Sequence, residues 1–140
     1  MSTNITYTST TKHEGGMRCH TVYTNGLKGS CTNDVPASLG GKGEYPDPGQ
    51  MLAACYATCM TSMIAHTGKA KGFDTDGLKV HAGVVESDKG IVSFHFDIDV
   101  PFATTPEARR FMKSAANSCP VSRAISEKIT REIAWHWMGD

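Results

Sequence analysis

The pattern of apolar and polar positions predicts a long uncharged helix near the middle of the chain. Between Pro48 and Thr67 there is no Asp, Glu, Lys or Arg. Asp47 can cap the first turn, Pro48 fits the first helical position, and Gln50 follows Asp47 by three residues, as in a capping box. Gly68 is a natural residue to follow a helix end. Because polar residues and small Ala and Cys side chains interrupt the run, it is predicted to lie in a protein core and not in a membrane.

A β-hairpin is predicted after this helix. The segments "GLKVHAGVVES" and "GIVSFHFDIDV" flank a "DKG" turn, and strict alternation in the second segment is typical of a strand with one buried and one polar face. The apolar positions are Val92, Phe94, Phe96, Ile98 and Val100, and the polar positions are Ser93, His95, Asp97 and Asp99.

The residues before the helix predict a small antiparallel meander between Ile5 and Cys31. This stretch mixes β-forming and turn residues, and Asn25-Gly26 is a hairpin signal because both central residues of a type I′ turn need a positive φ. The segment "SLGGKGEYPDPG" then predicts a loop.

Two further helices and a closing strand are predicted at the end of the chain. Thr105 can cap "PEARRFMKSAAN", and Pro120 opens "PVSRAISEKI", which places Cys119 at or beside an N-cap. The tail "TREIAWHWM" alternates like a strand. Together these patterns predict an α+β fold: an N-terminal meander, a long buried central helix, a hairpin, two helices and a closing strand, in a single domain over residues 1–140.

The charge balance gives no reason to expect a nucleic-acid or membrane partner. The chain has 14 Lys and Arg against 14 Asp and Glu, so no overall field attracts it to anionic polymers or lipids. The N-terminus is polar and rich in Thr, without the apolar stretch of a secretory signal. A cytoplasmic location is therefore expected.

Five cysteines carry the candidate chemistry. Their number is odd and their spacing is irregular, which does not fit a secreted disulfide framework. In a reducing compartment such thiols are usually inert core residues, so a local feature must identify a reactive one. They stand at Cys19, Cys31, Cys55, Cys59 and Cys119.

Taken alone, Cys119 has the best physical case for reactivity, whereas Cys59 would be inert without a cation. A thiol at the N-cap position of Cys119 would face unpaired backbone N–H groups and the positive end of a helix dipole, which stabilise a thiolate. Arg123 could add to this effect. The alternative is that Cys119 only packs where two helices meet. Cys59 lies in an apolar helix and needs a cation from elsewhere. Arg18 is the one arginine in the first half of the chain.

Metal binding is the competing use of the central cysteines. Cys55 and Cys59, with His66 seven residues further on, would give three ligands on one helical face. Zinc sites more often use Cys-x₂-Cys pairs from turns, and the sequence has no HExxH, P-loop or GxGxxG motif. No metal or other cofactor is therefore expected, and a metal-binding module is the weaker alternative.

The combination of the Gly/Pro-rich loop, "PGQMLAACYATCM", the hairpin and "SCPVSRAI" resembles the OsmC/Ohr family of thiol-dependent peroxidases. The family is named for osmotic induction and organic hydroperoxide resistance. The likeness runs from "EGGMR" to the final strand, and "CPVSRAI" is its most specific part. It implies an intertwined homodimer with sites at the subunit interface.

The resemblance also implies a role for three residues. Cys59 matches the thiol that attacks the peroxide, Cys119 matches the resolving thiol, and Arg18 matches the arginine that stabilises the attacking thiolate. The implied reaction reduces an organic hydroperoxide to an alcohol through a Cys59 sulfenic acid and a Cys59–Cys119 disulfide. A dithiol, in the family often a lipoylated protein, would restore the thiols.

One position departs from the family pattern. Gly49 stands where the peroxidase branch carries an acidic residue, so Asp47 or Glu44 would have to orient Arg18. Without such support, the alternative is an OsmC-like redox-sensing or small-molecule-binding protein with weak or lost peroxidase activity. An apolar substrate pocket is expected to involve Leu52, Tyr56 and Phe111.

Overall fold

A computed structural model describes residues 4–140 and shows the mixed α+β architecture that the sequence predicts. Three strands come first, followed by a long helix, a two-stranded hairpin, two helices and a last strand. In chain order they are β1 Ser9–Gly15, β2 Arg18–Tyr23, β3 Ser30–Asn33, α1 Pro48–Ala70, β4 Lys79–Ser87, β5 Gly90–Val100, α2 Pro106–Ala116, α3 Pro120–Ala124 and β6 Thr130–Trp137. A 3₁₀ turn at Ala37–Leu39 follows β3.

The chain divides into two compact units, one ending at Met51 and the other running from Leu52 to Asp140. The boundary falls in the first turns of α1. The single domain expected over residues 1–140 stays a prediction.

The first unit contains the predicted meander, with β1, β2 and β3 paired antiparallel in that order. Asn25 and Gly26 have φ values of 58° and 84°, and the N–H of Leu27 donates to the carbonyl of Thr24 at 3.2 Å. These are the features of the predicted type I′ turn. It lies within the longer connection 24–29 and does not by itself join the two strands, because β2 ends at Tyr23 and β3 begins at Ser30.

Helix α1 begins with the predicted capping box. The N–H of Gln50 donates to Asp47 Oδ1 at 2.8 Å, and the N–H of Asp47 donates to Gln50 Oε1 at 2.9 Å. Two N–H groups that lack a partner within the helix are thereby satisfied. Pro48 takes the first helical position, as expected.

The end of α1 differs from the prediction, because Gly68 lies inside the helix. The helix ends at Ala70, and Gly72, with φ +80°, takes the left-handed position after it. The N–H groups of Gly72 and Phe73 donate to the carbonyls of Lys69 and Gly68, which completes a Schellman motif. Within residues 4–140, no helix has the length and apolar character needed to cross a membrane.

The second unit has a three-stranded sheet in which β4 and β5 are antiparallel and β5 and β6 are parallel. The parallel pair requires a crossover, which α2 and α3 supply. The predicted alternation of β5 is confirmed at Phe94, Phe96, Ile98 and Val100, each at most 2% exposed, whereas Val92 beside the hairpin turn is 47% exposed. These side chains form one core with Tyr56, Met60 and Ile64 of α1 and with Met112 of α2.

Candidate thiol site

Cys59 lies on α1 at the edge of the stripe that faces the core of the second unit. Tyr56 and Met60, on the same helix, are 1% and 0% exposed, whereas Cys59 is half-buried and packs against the core from its border. Cys55, one turn earlier, is exposed. The two cysteines of "MLAACYATCM" therefore occupy different environments although they share one side of the helix.

Cys119 occupies the N-cap of α3, as the sequence predicts. Pro120 takes the first helical position, and the Cys119 sulfur accepts the N–H of Ser122 at 3.4 Å. The residue is 0% exposed. A helix start and complete burial therefore act on the same thiol.

The Cys119 thiol lies close enough to Cys59 for that residue to raise its pKa, so the fold brings together two residues that stand sixty positions apart. Both belong to the second unit. A disulfide needs side chains that approach and face each other, and the interaction between Cys59 and Cys119 meets the requirement of approach.

Burial raises the pKa of the Cys119 thiol. The N–H groups of Ser122 and Val121 act in the opposite direction, and the hydrogen bond to Cys59 and the charge of that neighbour raise the pKa further. The N-cap position was expected to favour the thiolate of Cys119. The net effect on the pKa is the opposite, because the free-energy cost of burying a thiolate exceeds the stabilisation by the backbone N–H groups. Arg123, expected to assist, is exposed.

Two side chains hold α3 in place: Tyr56, which the sequence analysis assigned only to a substrate pocket, and Arg131, which it did not single out. The hydroxyl of Tyr56 donates to Ser122 Oγ at 3.0 Å, which ties α1 to the first turn of α3 beside Cys119. Arg131, on β6, donates to the carbonyls of Ser122 and Ile125 at 3.0 and 3.1 Å. These contacts fix both ends of a short helix that could not be stable alone.

The residues predicted as a substrate pocket lie in different surroundings. Tyr56 packs edge-on against Phe94 in the core, with ring centroids 5.6 Å apart. Phe111 stacks on Phe73 at 5.0 Å, and Leu52 is 37% exposed near the start of α1. The cavity that Phe111 lines includes neither Tyr56 nor Leu52 among its described residues.

Arg18, in the first unit, is held by two carboxylates and an aromatic ring. Its Nη2 lies 3.6 Å from Asp34 Oδ2 and 3.4 Å from Glu44 Oε2, and its guanidinium lies over the Tyr45 ring at 4.7 Å. Glu44 was one of the two acids expected to orient this arginine. The other, Asp47, has its carboxylate in the capping box of α1.

Asp34 was missed by the sequence analysis. Its carboxylate accepts the N–H of Val35 at 2.8 Å and that of Lys42 at 3.2 Å, so the loop folds around it. A Cβ on Gly41 would lie 2.0 Å from the carbonyl oxygen of Val35 and 2.6 Å from Asp34 Oδ1. The glycine pair in "SLGGKG" was therefore a signal for a close approach of two backbone segments.

The pKa of Asp34 is lowered, chiefly by the N–H of Val35. Burial opposes this effect, while the N–H groups of Lys42 and Glu44 and the charge of Arg18 add to it. The residue is 2% exposed. Asp34 is thus a buried carboxylate that stays ionised and can hold the arginine at neutral pH.

The metal alternative finds no structural support in the described part of the chain. Residues 4–140 contain no group of three or more His, Cys, Asp and Glu side chains arranged to hold a metal ion. His66 and Cys55 are both exposed on α1.

The site thus joins Cys59 of a long helix with Cys119 at a helix N-cap on an α+β scaffold. Residues 41–134 match the family model described as OsmC-like protein. The chain belongs to this family, which supports a peroxide-related redox function.

Similar proteins agree with this assignment. The chain is 31% identical over 105 residues to organic hydroperoxide resistance protein-like 2 of Staphylococcus saprophyticus, a match that covers 71% of this chain and 74% of the relative. A solved organic hydroperoxide resistance protein OsmC of Legionella pneumophila is 26% identical, with a TM-score of 0.72 and coverage of 94% and 98%. A protein of Psychrobacter arcticus named for osmotic stress and detoxification shares the fold, with a TM-score of 0.89 at 22% identity and coverage of 97% and 100%.

The carboxylates around Arg18 can be separated by their response to pH. Because the pKa of Asp34 is lowered in the folded protein, its stabilising effect is complete above the ordinary carboxyl pKa and is lost as the pH falls through the lowered value. We expect Asp34→Asn to reduce the free energy of unfolding at neutral pH and to differ less from the wild type in acid. Urea unfolding at several pH values measures this.

Glu44→Gln is the matched control, because the Glu44 side chain is 56% exposed and also contacts Arg18. We expect a small effect of this change at every pH. Equal effects of the two substitutions at neutral pH would contradict the role assigned to Asp34.

Proposed function

We propose that this protein reduces organic hydroperoxides to alcohols, with Cys59 as the attacking thiol and Cys119 as the resolving thiol. The observation that supports this proposal is the proximity of the two thiols in a chain of the OsmC-like family. The names of the relatives from Staphylococcus saprophyticus and Legionella pneumophila support an organic hydroperoxide as the substrate.

The difference in burial between the thiols supports their assignment. Cys119 is fully buried and its raised pKa keeps it protonated, so it can donate its S–H to Cys59. A donated hydrogen bond favours the thiolate form of the acceptor. Cys59, at the border of the core, is also the more accessible of the two sulfurs to a peroxide.

The reaction proceeds in two steps. The Cys59 thiolate attacks one peroxide oxygen, the O–O bond breaks, and the alkoxide leaves and takes up a proton as the alcohol. Cys59 is then a sulfenic acid. Cys119 loses its proton and attacks the Cys59 sulfur, which forms the disulfide and releases water. The N–H groups of Ser122 and Val121 stabilise the charge that develops on Cys119.

Arg18 is proposed as the cation that stabilises the Cys59 thiolate, and Asp34 and Glu44 as the acids that orient it. The ion pairs of Arg18 with Asp34 and Glu44 support the orienting role of these acids. They supply the carboxylate that Gly49 lacks. A dithiol, of the lipoyl class in the family, is proposed to reduce the disulfide by two thiol exchanges. Such a cycle suits a reducing cytoplasm.

A homodimer is proposed because the sheet of the first unit has little cover. Ile5 and Tyr7, just before β1, are 72% and 79% exposed, and Val22 and Tyr23 of β2 are 44% and 45% exposed. Small sheets with apolar side chains in water gain stability when a partner covers them. Sedimentation equilibrium should give twice the mass of one chain, and a monomer at micromolar concentration would contradict the dimer.

The two-thiol mechanism can be tested in a single turnover. One equivalent of tert-butyl hydroperoxide should remove two thiols from the reduced protein and link Cys59 to Cys119, as read by peptide mass mapping. Cys119→Ser should stop at a Cys59 sulfenic acid that dimedone traps. Cys59→Ser should lose no thiol, and Arg18→Ala should slow the first step by about tenfold or more, equivalent to about 1.4 kcal/mol of barrier.

Cys55→Ser is the matched control, since it removes an exposed thiol from the same helix. It should react like the wild type. A disulfide that includes Cys55, or a wild-type protein that keeps all its thiols, would contradict the mechanism. Disulfide formation without steady turnover by a dithiol would favour the redox-sensing alternative.

A further inference from the structure

The cavity that Phe111 lines, in the unit Leu52–Asp140, is separate from the thiols. It has a volume of about 290 Å³ and lies between the segment after α1 and the start of α2. Its described lining includes neither Cys59 nor Cys119. Cys59 precedes Ala70, the last residue of α1, by 11 positions, which is about 16 Å along the axis at 1.5 Å per residue.

The lining of this cavity is aromatic. Three of the five phenylalanines of the chain line it, namely Phe73, Phe102 and Phe111. Phe73 and Phe111 are stacked, with an interplanar angle of 19°. Met112 and Ala108 of α2 complete the apolar surface and are 1% and 3% exposed. A planar ring could pack against such faces and edges.

One wall of the cavity is fixed by Gly68. A Cβ at this position would lie 2.8 Å from Thr75 Cγ2, so the absence of a side chain lets the segment 72–75 approach α1. The N–H of Phe73 donates to the carbonyl of Gly68 at 2.8 Å in the same contact. This explains why a glycine stands inside the last turns of the helix.

The opposite wall is fixed by the residues after β6. The N–H of Thr104 donates to Asp140 Oδ1 at 2.8 Å, and Arg109 Nε donates to Thr104 Oγ1 at 3.0 Å. A Cβ on Gly139 would lie 2.2 Å from the carbonyl carbon of Phe102, so this glycine also permits a close backbone approach. With both walls held, the cavity exists before any ligand enters.

The polar groups at the rim indicate the charge of the ligand. The Thr104 hydroxyl donates to Asp140, and the Thr105 hydroxyl oxygen accepts the N–H of Ala108. Asp74 is the charged residue in the lining, and Lys71 lies outside it, 5.9 Å from the centroid of the Phe111 ring. A carboxylate ligand would meet Asp74, whereas a neutral ligand meets no opposing charge.

From the size, lining and charge of this cavity, we propose that it binds a small neutral aromatic molecule with a single ring or two fused rings. An apolar protein cavity of about 150 Å³ accommodates benzene, so the larger space here suits a bicyclic ring. The site is distinct from the proposed peroxide chemistry and does not depend on it.

Binding of indole to the reduced full-length protein tests the proposal, with methionine and alanine methyl groups observed by NMR. We expect saturable shifts of the Met112 and Ala108 methyl signals, unchanged in Cys59→Ser. Ala108→Leu should fill the cavity and weaken binding by about tenfold or more. Ala82→Leu, an equal enlargement at an exposed position of β4, should bind like the wild type.

A second comparison keeps the test decisive if Ala108→Leu does not fold. Indole-3-carboxylate should bind several-fold more weakly than indole, and Asp74→Asn, which keeps the acceptor for the N–H of Asp76, should reduce that difference. Shifts that grow linearly without saturation, shifts centred on other methyl groups, or a folded Ala108→Leu protein with wild-type affinity would overturn the proposal.

Discussion

The burial of Cys119 against Cys59 is the constraint on which the rest of the candidate site depends. A thiol at the start of a helix would ordinarily gain acidity from the backbone donors around it. Complete burial reverses that tendency and keeps Cys119 protonated. The same burial brings its S–H against the sulfur of Cys59. The roles proposed for Cys119, as a donor to Cys59 and as the resolving thiol, both depend on this placement.

This arrangement needs a short helix to hold a fixed position. Helix α3 covers only Pro120–Ala124, which is too short to be stable by its own hydrogen bonds. The Tyr56 hydroxyl holds the first turn of α3. The guanidinium of Arg131 donates to backbone carbonyls at and beyond the end of this helix. The thiol contact is therefore a consequence of tertiary packing from α1 and β6.

Most of the fold follows from local signals in the sequence. The capping box at Asp47, the alternation of β5 and the Cys-Pro start of α3 each involve neighbours in the chain, so their geometry is dictated locally. Gly68 was misjudged because its role is to admit Thr75, a contact that the helix pattern does not show.

The candidate site was harder than the fold to predict from local signals in the sequence. The resemblance pointed to Cys59 and Cys119, but the net acidity of Cys119 depends on burial and cannot be read from its place at a helix start. Asp34 was missed because its importance comes from Arg18, Val35 and Lys42 meeting it in space. The pocket expected from Leu52, Tyr56 and Phe111 stays a prediction, because their different surroundings are decided by packing and not by their places in the sequence.

The reactivity of the individual thiols tests the division of roles between Cys59 and Cys119 most directly. The reduced protein would be alkylated with iodoacetamide over a range of pH, and each cysteine followed by peptide mass spectrometry. We predict that Cys59 reacts faster than Cys119 at neutral pH, that Cys119 requires a higher pH because its pKa is raised, and that unfolding in urea removes the difference. A Cys119 that reacts first in the folded protein at neutral pH would contradict the account.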